Sequence, residues 1–248
     1  MKATLIIPCY NEEVNLQKGV LDRVGNYVKD HPYIKEVVIV DDGSDDGTKE
    51  IIKDKYVSLF PKFKLIENPH QGKALTVMKG IVESAHPYVM FCDMDLATPL
   101  EESLKIFKGL EEGYDVVIGS RAEKRQGAPF TRRLQSSGFT FIRNLIIGLH
   151  GIQDTQCGFK GFKREAAMNV ISKQKVFVKN HKVSGSSVSA AFDLEFLFLA
   201  RKLGYTILEV PVVWRHAESK NVSLIKDSFE TLKDVLAIRL NDLQGKYT

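Results

Sequence analysis

Two carboxylates, Asp93 and Asp95, stand one residue apart directly after a short apolar segment. That segment, Tyr88 to Cys92, is rich in β-forming residues and predicts a buried strand. In an open α/β sheet, ligands bind at the carboxyl ends of the strands. Two acids this close repel each other unless a cation lies beside them. The pair therefore indicates either a divalent-metal site or a turn that starts a helix, since Asp caps helices and Pro99 suits a first helical turn.

Five segments with strand character alternate with segments of helical periodicity. The predicted strands cover residues 3–7, 36–40, 63–67, 88–92 and 115–119. This alternation predicts an α/β fold with a mostly parallel sheet and helices on both of its faces. The second strand leads into Asp41-Asp42-Gly43-Ser44, so a second acidic group is expected at the same edge of the sheet. A plain tight turn is the alternative there, because Asp, Gly and Ser favour turns.

The composition is that of an ordinary globular protein, with 44% hydrophobic and 27% charged residues among 248. The three cysteines, Cys9, Cys92 and Cys157, lie far apart and form no CxxC pair. Neither a zinc site nor a disulfide framework is therefore indicated, and a reducing compartment is favoured. The N-terminus lacks the pattern of a signal peptide, and no apolar run approaches the ~20 residues of a membrane span.

Basic residues are concentrated in the third quarter of the chain. Residues 124–192 contain twelve Lys or Arg and two acids, Asp154 and Glu165, which gives a formal charge of +10 (12 minus 2) against +4 for the whole chain. A basic stretch is usually a solvated face. Here it also suits an anionic ligand or an anionic membrane surface.

Two common nucleotide-binding motifs are missing from the sequence. The first predicted strand leads into Pro8-Cys9-Tyr10-Asn11-Glu12 rather than GxGxxG, and GxxxxGK[ST] occurs nowhere. A dinucleotide-binding fold and a P-loop nucleoside triphosphatase are therefore unsupported. The same Pro8-Cys9-Tyr10 sequence argues against a nucleotidyltransferase, whose first loop is usually rich in glycine.

Taken together, the motifs resemble those of family 2 glycosyltransferases of the GT-A fold, over about residues 3–222. The motifs that carry this resemblance are Ile7-Pro8-Cys9-Tyr10-Asn11-Glu12, Val40-Asp41-Asp42-Gly43-Ser44 and Asp93-Met94-Asp95. Later motifs are similar to those of polyprenyl-phosphate sugar synthases, the dolichyl-phosphate mannose and dolichyl-phosphate glucose synthases. These motifs are Gly119-Ser120-Arg121, Asp154-Thr155-Gln156-Cys157-Gly158-Phe159-Lys160, Phe192-Asp193-Leu194-Glu195 and Pro211-Val212-Val213-Trp214. The motif that begins at Asp154 is closer to the glucose branch.

The resemblance implies a single GT-A domain, with a Rossmann-like, mostly parallel sheet, over residues 1–222. Residues 223–248 would add a C-terminal amphipathic helix, because apolar residues from Leu224 to Leu243 recur at spacings of three and four. This helix is expected to pack on the domain or on a membrane surface.

The resemblance also implies a site for a nucleotide-diphosphate sugar, with UDP-glucose favoured and GDP-mannose next. The residues expected to bind it are Pro8, Tyr10, Glu12, Val40, Asp41, Asp42, Lys73, Asp93, Met94, Asp95, Arg121 and Lys220. Asp95 would hold Mg²⁺ or Mn²⁺, and Asp93 would contact the metal or the ribose, since proteins usually bind Mg²⁺ by one or two carboxylates together with substrate phosphates. Mannose synthases often carry a further ligand, Gln, where this chain has Ala97; Thr98 or water would have to substitute.

The implied reaction is inverting transfer of a hexose, glucose before mannose, to a polyprenyl or dolichyl phosphate. Asp95, Arg121 and Lys220 are the expected catalytic residues, with the two cations and the metal stabilising the charge on the leaving diphosphate. A phosphate monoester is already ionised near pH 7, because its second pKa is about 6, so it needs no general base. It needs cations, and the candidates are Arg132, Arg133, Arg143, Lys160 and Arg215.

Other functions remain open from the sequence. If the acceptor is a hydroxyl of a glycan or glycolipid, a carboxylate base is required, and Asp154 is the candidate. A non-catalytic protein that binds nucleotide sugars is another possibility. Lys73 and Arg121 are also compatible with plain surface positions.

Membrane contact is suggested by residues 139–149, which are apolar on most sides and include Arg143. The segment is too short to span a bilayer but long enough to lie in its interface. An ordinary buried helix is the alternative. The sequence thus predicts a cytoplasmic protein, peripheral on the cytoplasmic face of a membrane or held there by a membrane partner, and no nucleic-acid partner.

Overall fold

Seven strands form one sheet in the computed structural model, which describes residues 1–121, 130–176, 190–215 and 224–247. In chain order the strands are β1 (Ala3–Cys9), β2 (Ile34–Asp41), β3 (Phe63–Glu67), β4 (Tyr88–Cys92), β5 (Val116–Ser120), β6 (Phe159–Lys163) and β7 (Ile207–Pro211). Their order across the sheet is β3-β2-β1-β4-β6-β5-β7. All pairs are parallel except those of β6, which runs antiparallel to both β4 and β5. The predicted α/β fold with a mostly parallel sheet is confirmed.

The helices connect most of these strands. They are α1 (Glu13–Gln17), α2 (Val20–Lys29), α3 (48–59), α4 (Lys73–Glu83), α5 (Ser103–Glu111), α6 (Phe130–Ile147), α7 (Arg164–Lys173), α8 (Ala190–Lys202) and α9 (Leu224–Leu243). The middle of α3, Ile52–Tyr56, is a π-helical turn, and a 3₁₀ turn at Leu100–Glu102 precedes α5.

The sheet separates two hydrophobic cores, because successive residues of a strand point to opposite faces. In β1, Leu5 and Ile7 belong to one core and Ile6 to the other. Helices α1, α2, α3 and α5 pack on the face of Leu5, and α4, α6, α7, α8 and α9 pack on the face of Ile6. The predicted placement of helices on both faces is confirmed.

Two local predictions need correction. The first strand does not end before Pro8 but continues to Cys9; its pairing with β4 stops at Ile6, whereas its pairing with β2 continues. Apolar residues from Val14 to Val28 recur at helical spacing and predict one helix with Asn11 as its N-cap. The structure has two helices there, because Gly19 between them adopts φ 71°, a left-handed conformation that interrupts an α-helix. The side chain of Asn11 binds Asp45 instead of capping α1.

The C-terminal helix α9 packs against α6 and α8. Val235 and Ile238 are fully buried in the core beneath it, while Leu236, Leu240 and Leu243 are exposed. Among the described helices, none combines the length and the apolar content that crossing a membrane requires.

Gly161 shows how tightly helix α5 lies on the antiparallel strand. It is buried in the middle of β6, and a Cβ added there would overlap Cγ2 of Ile106 in α5. Since Ile106 is fully buried, it has little room to move. We expect Gly161→Ala to lower the free energy of unfolding by about 1–3 kcal/mol, as overpacking of a core does. Urea unfolding followed by circular dichroism measures this change.

The matched control is Gly138→Ala. Gly138 is an exposed residue of α6, and an added Cβ there meets nothing within 4 Å. Because Ala favours a helix over Gly by about 1 kcal/mol, this variant should keep or gain stability. Equal losses in both variants would show that crowding against Ile106 is not the cause.

Candidate active site

Asp93 and Asp95 lie in a tight turn at the carboxyl end of β4. The backbone N–H of Leu96 donates to the Asp93 carbonyl (3.2 Å), and that of Ala97 donates to Oδ1 of Asp95 (2.9 Å). Leu96 has φ 50°, a left-handed conformation that costs an L-residue about 1–2 kcal/mol and that concentrates at ligand sites. Asp95 is exposed and Asp93 is half-buried. Met94 points into the core with only 2% of its surface exposed, which corrects its predicted contact with the donor.

The Asp93 carboxylate is confined between a cation and a glycine. Its Oδ1 forms an ion pair with Nζ of Lys73, the first residue of α4. On another side lies Gly158, where an added Cβ would overlap the carboxylate. Gly158 precedes β6, whose Phe159 pairs with Cys92 of β4. The antiparallel strand thus brings the motif that starts at Asp154 against the acidic turn.

Lys73 faces three carboxylates. Burial lowers the pKa of Lys73, but the charge and hydrogen bond of Asp93, together with the charges of Asp193 and Asp95, outweigh this effect and raise it above its ordinary value. Lys73 is therefore fully charged at neutral pH and is the cation of the acidic turn.

Asp42 fixes the loop that delivers Lys73. Its carboxylate is 2% exposed and accepts hydrogen bonds from the backbone N–H groups of Gln71 (2.9 Å) and Gly72 (2.7 Å), with His70 Nδ1 at 2.9 Å. Gly72 then adopts φ 89° directly before α4 begins. Sequence analysis expected Asp42 beside the nucleobase; in the structure both of its oxygens bind this loop.

Asp41 and Val40 are interior residues. Asp41 has no exposed surface, and it accepts hydrogen bonds from the backbone N–H groups of Gly43 and Ser44, both at 3.0 Å. The predicted contact of Asp41 with the donor is therefore corrected: Asp41 forms the turn instead. Val40 is also fully buried and pairs with the buried Pro8, so these two residues build the sheet beneath the edge rather than an exposed pocket wall.

Tyr10 and His70 form a stacked aromatic pair at the same edge. Their ring centroids are 4.1 Å apart and their planes differ by 18°. Both residues are half-buried, so the pair offers a flat surface on which another ring can stack. Glu12 is half-buried close by in the chain, with its backbone N–H donating to Oγ1 of Thr48 (2.8 Å). Sequence analysis named Tyr10 and Glu12 but missed His70, whose pairing needs the fold.

Arg121 and Asp154 form a bidentate ion pair at the end of β5. Nε and Nη2 of Arg121 donate to the two carboxylate oxygens at 2.7 and 2.9 Å, and its backbone N–H donates at 3.0 Å. Asp154 is 2% exposed and also accepts from the backbone N–H of Gln156 (3.2 Å). Burial lowers the pKa of Arg121, but Asp154 outweighs this effect and raises it. Within the described residues, two of the five guanidinium N–H groups are used, which leaves three for another anion.

Glu209 of β7 holds the loop that carries Asp154. Its carboxylate accepts hydrogen bonds from the backbone N–H groups of Gln153 (2.8 Å) and Asp154 (2.7 Å). On the exposed side, the Arg121 guanidinium lies 5.9 Å from the ring centroid of Trp214. The position of Arg121 thus depends on three separate parts of the chain.

The segment after β7 runs alongside the acidic turn. The backbone N–H of Val212 donates to Ser120 (3.0 Å), and that of Arg215 donates to the Ala97 carbonyl (2.7 Å). Arg215 is exposed and stands next to the turn of Asp95, as expected for a residue that meets an anion. Lys220, the other cation predicted in this segment, lies outside the described residues.

Two of the predicted acceptor cations are interior residues. Arg143 is 1% exposed, and its guanidinium donates to Oδ1 of Asn144 and to the Ile152 carbonyl. Lys160 is 2% exposed and pairs with Asp193 at 2.6 Å. Both predictions are corrected, because burial and internal partners leave neither cation facing solvent. Arg132 and Arg133 lie on α6, and the structure describes only their backbone.

A small cavity of about 30 Å³ lies beside the acidic turn. Its lining residues are Lys73, Ala74, Val77, Phe91, Gln156, Gly158, Phe192 and Asp193. Sequence analysis noted Asp193 only within a motif and did not assign it to the site. The signal that would have found it is the acidic residue at the start of α8, but its ion pair with Lys160 appears only in the fold.

The side chains of the acidic turn suit a metal ion that is held jointly by the protein and by a bound ligand. In the part of the chain that is described, no group of three or more His, Cys, Asp or Glu side chains converges to hold a metal ion. Asp93 and Asp95 supply two carboxylates, the hard oxygen ligands that Mg²⁺ and Mn²⁺ prefer. Two carboxylates completed by the phosphates of a nucleotide is a common arrangement for Mg²⁺.

Solved structures share this fold. Glucosyl-3-phosphoglycerate synthase of Mycobacterium tuberculosis, crystallised with Mn²⁺, uridine diphosphate and phosphoglyceric acid, has a TM-score of 0.66 at 16% identity and covers 96% of this chain and 78% of that one. Mannosyl-3-phosphoglycerate synthase of Rubrobacter xylanophilus has a TM-score of 0.66 at 15% identity and covers 100% and 76%. At such identities the likeness concerns the fold, which is GT-A.

Sequence relatives define the family. A dolichyl-phosphate beta-glucosyltransferase of Trichomonas vaginalis is 33% identical over 234 residues, which are 89% of this chain and 68% of that protein. The dolichyl-phosphate beta-glucosyltransferase of Homo sapiens is 31% identical over 264 residues, with 98% and 76% covered. Residues 4–171 match the family described as Glycosyl transferase family 2. Because that match covers more than half of the chain and includes strands β1 to β6, the Asp93–Asp95 turn and the Arg121–Asp154 pair, the chain belongs to glycosyl transferase family 2.

Proposed function

We propose that this protein transfers glucose from UDP-glucose to dolichyl phosphate or another polyprenyl phosphate, with inversion at the anomeric carbon. The relatives named above support glucose as the sugar and dolichyl phosphate as the acceptor. UDP as the carrier is supported by the fold neighbour that binds uridine diphosphate.

The observation that carries the choice of acceptor is the Arg121–Asp154 pair. A hydroxyl acceptor requires a base, and Asp154 was the candidate from the sequence. Its carboxylate, which has about four lone-pair sites, already accepts three hydrogen bonds from Arg121 and one from Gln156. An ionised phosphate acceptor requires no base, so it agrees with an Asp154 that serves to hold Arg121.

The proposed reaction is a direct displacement. An oxygen of the acceptor phosphate forms a bond to the anomeric carbon while the bond from that carbon to the UDP oxygen breaks, and UDP leaves with the electron pair. An α-linked donor then gives a β-linked product. Negative charge grows on the leaving diphosphate, and Arg121, with three N–H groups to spare, is placed to stabilise it.

The remaining residues bind and orient the two substrates. The stacked rings of Tyr10 and His70 offer a surface for the uracil ring. Arg215 lies beside the acidic turn, where it can meet the acceptor phosphate. The role assigned to Lys220, a cation for the leaving diphosphate, rests on the sequence. Lys73 is assigned to the donor phosphates.

Asp93 and Asp95 would hold Mg²⁺ or Mn²⁺ against the donor. When bound, such an ion supplies charge stabilisation to the departing diphosphate. The neighbour crystallised with Mn²⁺ supports the use of a divalent ion in this fold.

The direct test is incubation of the purified protein with Mn²⁺, a short polyprenyl phosphate and labelled nucleotide sugars. We expect label from UDP-glucose in the organic phase and none after addition of EDTA. Asp95→Asn should lower this transfer by a factor on the order of 10²–10³, because it removes a carboxylate that would hold the metal ion against the leaving diphosphate. Asp54→Asn, at an exposed acid in α3, is the matched control and should transfer like the unmodified protein.

Other outcomes redirect the proposal. Label from GDP-mannose alone would replace glucose by mannose. Hydrolysis of the donor without labelled lipid would exclude a lipid phosphate as the acceptor. Undiminished transfer by Asp95→Asn would contradict the assignment of the acidic turn to the donor.

The role of Asp154 can be separated from that of a base by a double-mutant cycle. We expect Asp154→Asn and Arg121→Lys each to lower kcat about 10- to 100-fold, and the double variant to be no worse than either, because both break one interaction. If Asp154 were the base, Asp154→Asn alone would abolish transfer. Arg121→Lys would then lower the transfer rate independently of Asp154. Steady-state rates at saturating donor and acceptor measure the cycle.

We propose that the protein reaches its lipid acceptor peripherally, on the cytoplasmic face of a membrane. Helices α6 and α9 are in contact, and both expose large apolar side chains. In α6 these are Phe141 (69% exposed) and Leu145 (74%), and in α9 they are Leu240 (56%) and Leu243 (68%). An exposed apolar face of this kind favours an interfacial contact.

Flotation with vesicles that contain phosphatidylserine tests this contact. Leu145→Asp should lower vesicle binding by on the order of tenfold, since burying a leucine is worth about 1.5–3 kcal/mol. Val14→Asp is the control, because Val14 is 63% exposed on α1, across the sheet from α6 and α9. Equal binding by both variants would contradict the assigned surface.

A further inference from the structure

Lys73 lies against Asp93, the carboxylate that the proposed function assigns to the metal. Its ammonium pairs with Oδ1 of Asp93. Two features fix the positions of the paired groups. Asp42 holds the loop before α4, and Gly158 limits where the Asp93 carboxylate can lie. The side chains are 29% and 36% exposed, so a small ion can reach the pair.

The neighbouring charges leave Lys73 as the cation of the acidic turn. Asp193 is already paired with Lys160 at 2.6 Å, and Lys160 is buried. Arg121 is engaged by Asp154. Among the described side chains, Lys73 is the one that forms an ion pair with Asp93, so it offsets part of the negative charge that a divalent ion would otherwise meet.

Two cations cannot share one carboxylate oxygen without repelling each other. A divalent ion that binds Oδ1 of Asp93 must therefore displace Lys73, and one that binds Oδ2 meets the charge of Lys73 at close range. In the absence of a donor, the other described carboxylates that act on Lys73 are Asp193, which is already paired with Lys160, and Asp95 of the same turn, so displacement is costly. A diphosphate changes this balance, because it offers the ammonium a new partner and the metal new ligands.

We propose that Lys73 makes metal binding depend on the donor. In the donor-free protein Lys73 pairs with Asp93. When the donor binds, Lys73 pairs with the diphosphate instead, and Asp93 becomes available to the metal. The proposal rests on the proposed function, since it assumes that Asp93 is a metal ligand. The coupling is reciprocal, so the metal must strengthen donor binding by the same factor as the donor strengthens metal binding.

The test is titration of the full chain with Mn²⁺, followed by the electron paramagnetic resonance signal of free Mn²⁺, with and without UDP. The Mn²⁺–UDP complex in buffer is measured separately and subtracted. We expect Lys73→Met to bind Mn²⁺ about tenfold more tightly than the unmodified protein when UDP is absent, within the range of typical coupling effects. The gain in Mn²⁺ affinity on adding UDP should shrink correspondingly.

Two further variants complete the design. Lys73→Gln removes the same charge with a polar side chain and should behave like Lys73→Met; circular dichroism checks that both are folded. Lys79→Met is the matched control, because Lys79 lies on the same helix but pairs with Glu83 on the exposed side (2.8 Å). It should leave Mn²⁺ affinity unchanged with and without UDP.

The outcomes separate this proposal from the one on which it rests. Folded Lys73 variants that bind Mn²⁺ no more tightly than the unmodified protein would overturn the role of Lys73, as expected if the lysine only supports the turn. If the unmodified protein fails to bind Mn²⁺ even with UDP, the assignment of a metal to Asp93 is itself wrong.

Discussion

The pairing of β6 with β4 is the interaction on which the site depends. Because β6 runs against its neighbours, it begins at the edge where the parallel strands end. The register of Phe159 opposite Cys92 then sets Gly158 against the Asp93 carboxylate. A shift of one residue would turn every side chain of β6 to the other face of the sheet. The acidic turn and the Asp154 loop are thus held together by backbone pairing rather than by their own side chains.

The acidic residues at this edge fall into two groups, which differ in how deeply they are buried. Asp41, Asp42 and Asp154 are nearly inaccessible, and each accepts several hydrogen bonds that shape a loop. Asp93 and Asp95 remain open to solvent. A buried carboxylate must be satisfied by donors, and backbone N–H groups of loops are the ones at hand. The protein therefore uses buried acids to place the exposed ones.

Much of the fold could be predicted from the sequence, because apolar segments define the first five strands. Two strands, β6 and β7, were not predicted. The sequence of β6, Phe159–Lys163, contains two lysines and a glycine and so lacks an apolar pattern. The site was predicted where a motif stands at a strand end, as at Asp93. The prediction failed where two partners are far apart in the chain. The stacking of His70 on Tyr10 and the pairing of Lys160 with Asp193 cannot be inferred from spacing.

The hydrogen bonds of Glu209 have a consequence for the order in which the molecule can assemble. Arg121 is held by Asp154, and the loop of Asp154 is held by Glu209 in the last strand of the sheet. The loop of Asp154 gains these hydrogen bonds only when β7, the last of the described strands, has joined the sheet. Contacts of such long sequence separation form late and slowly. Competence for chemistry is thus a property of the finished polypeptide, acquired in the last steps of folding.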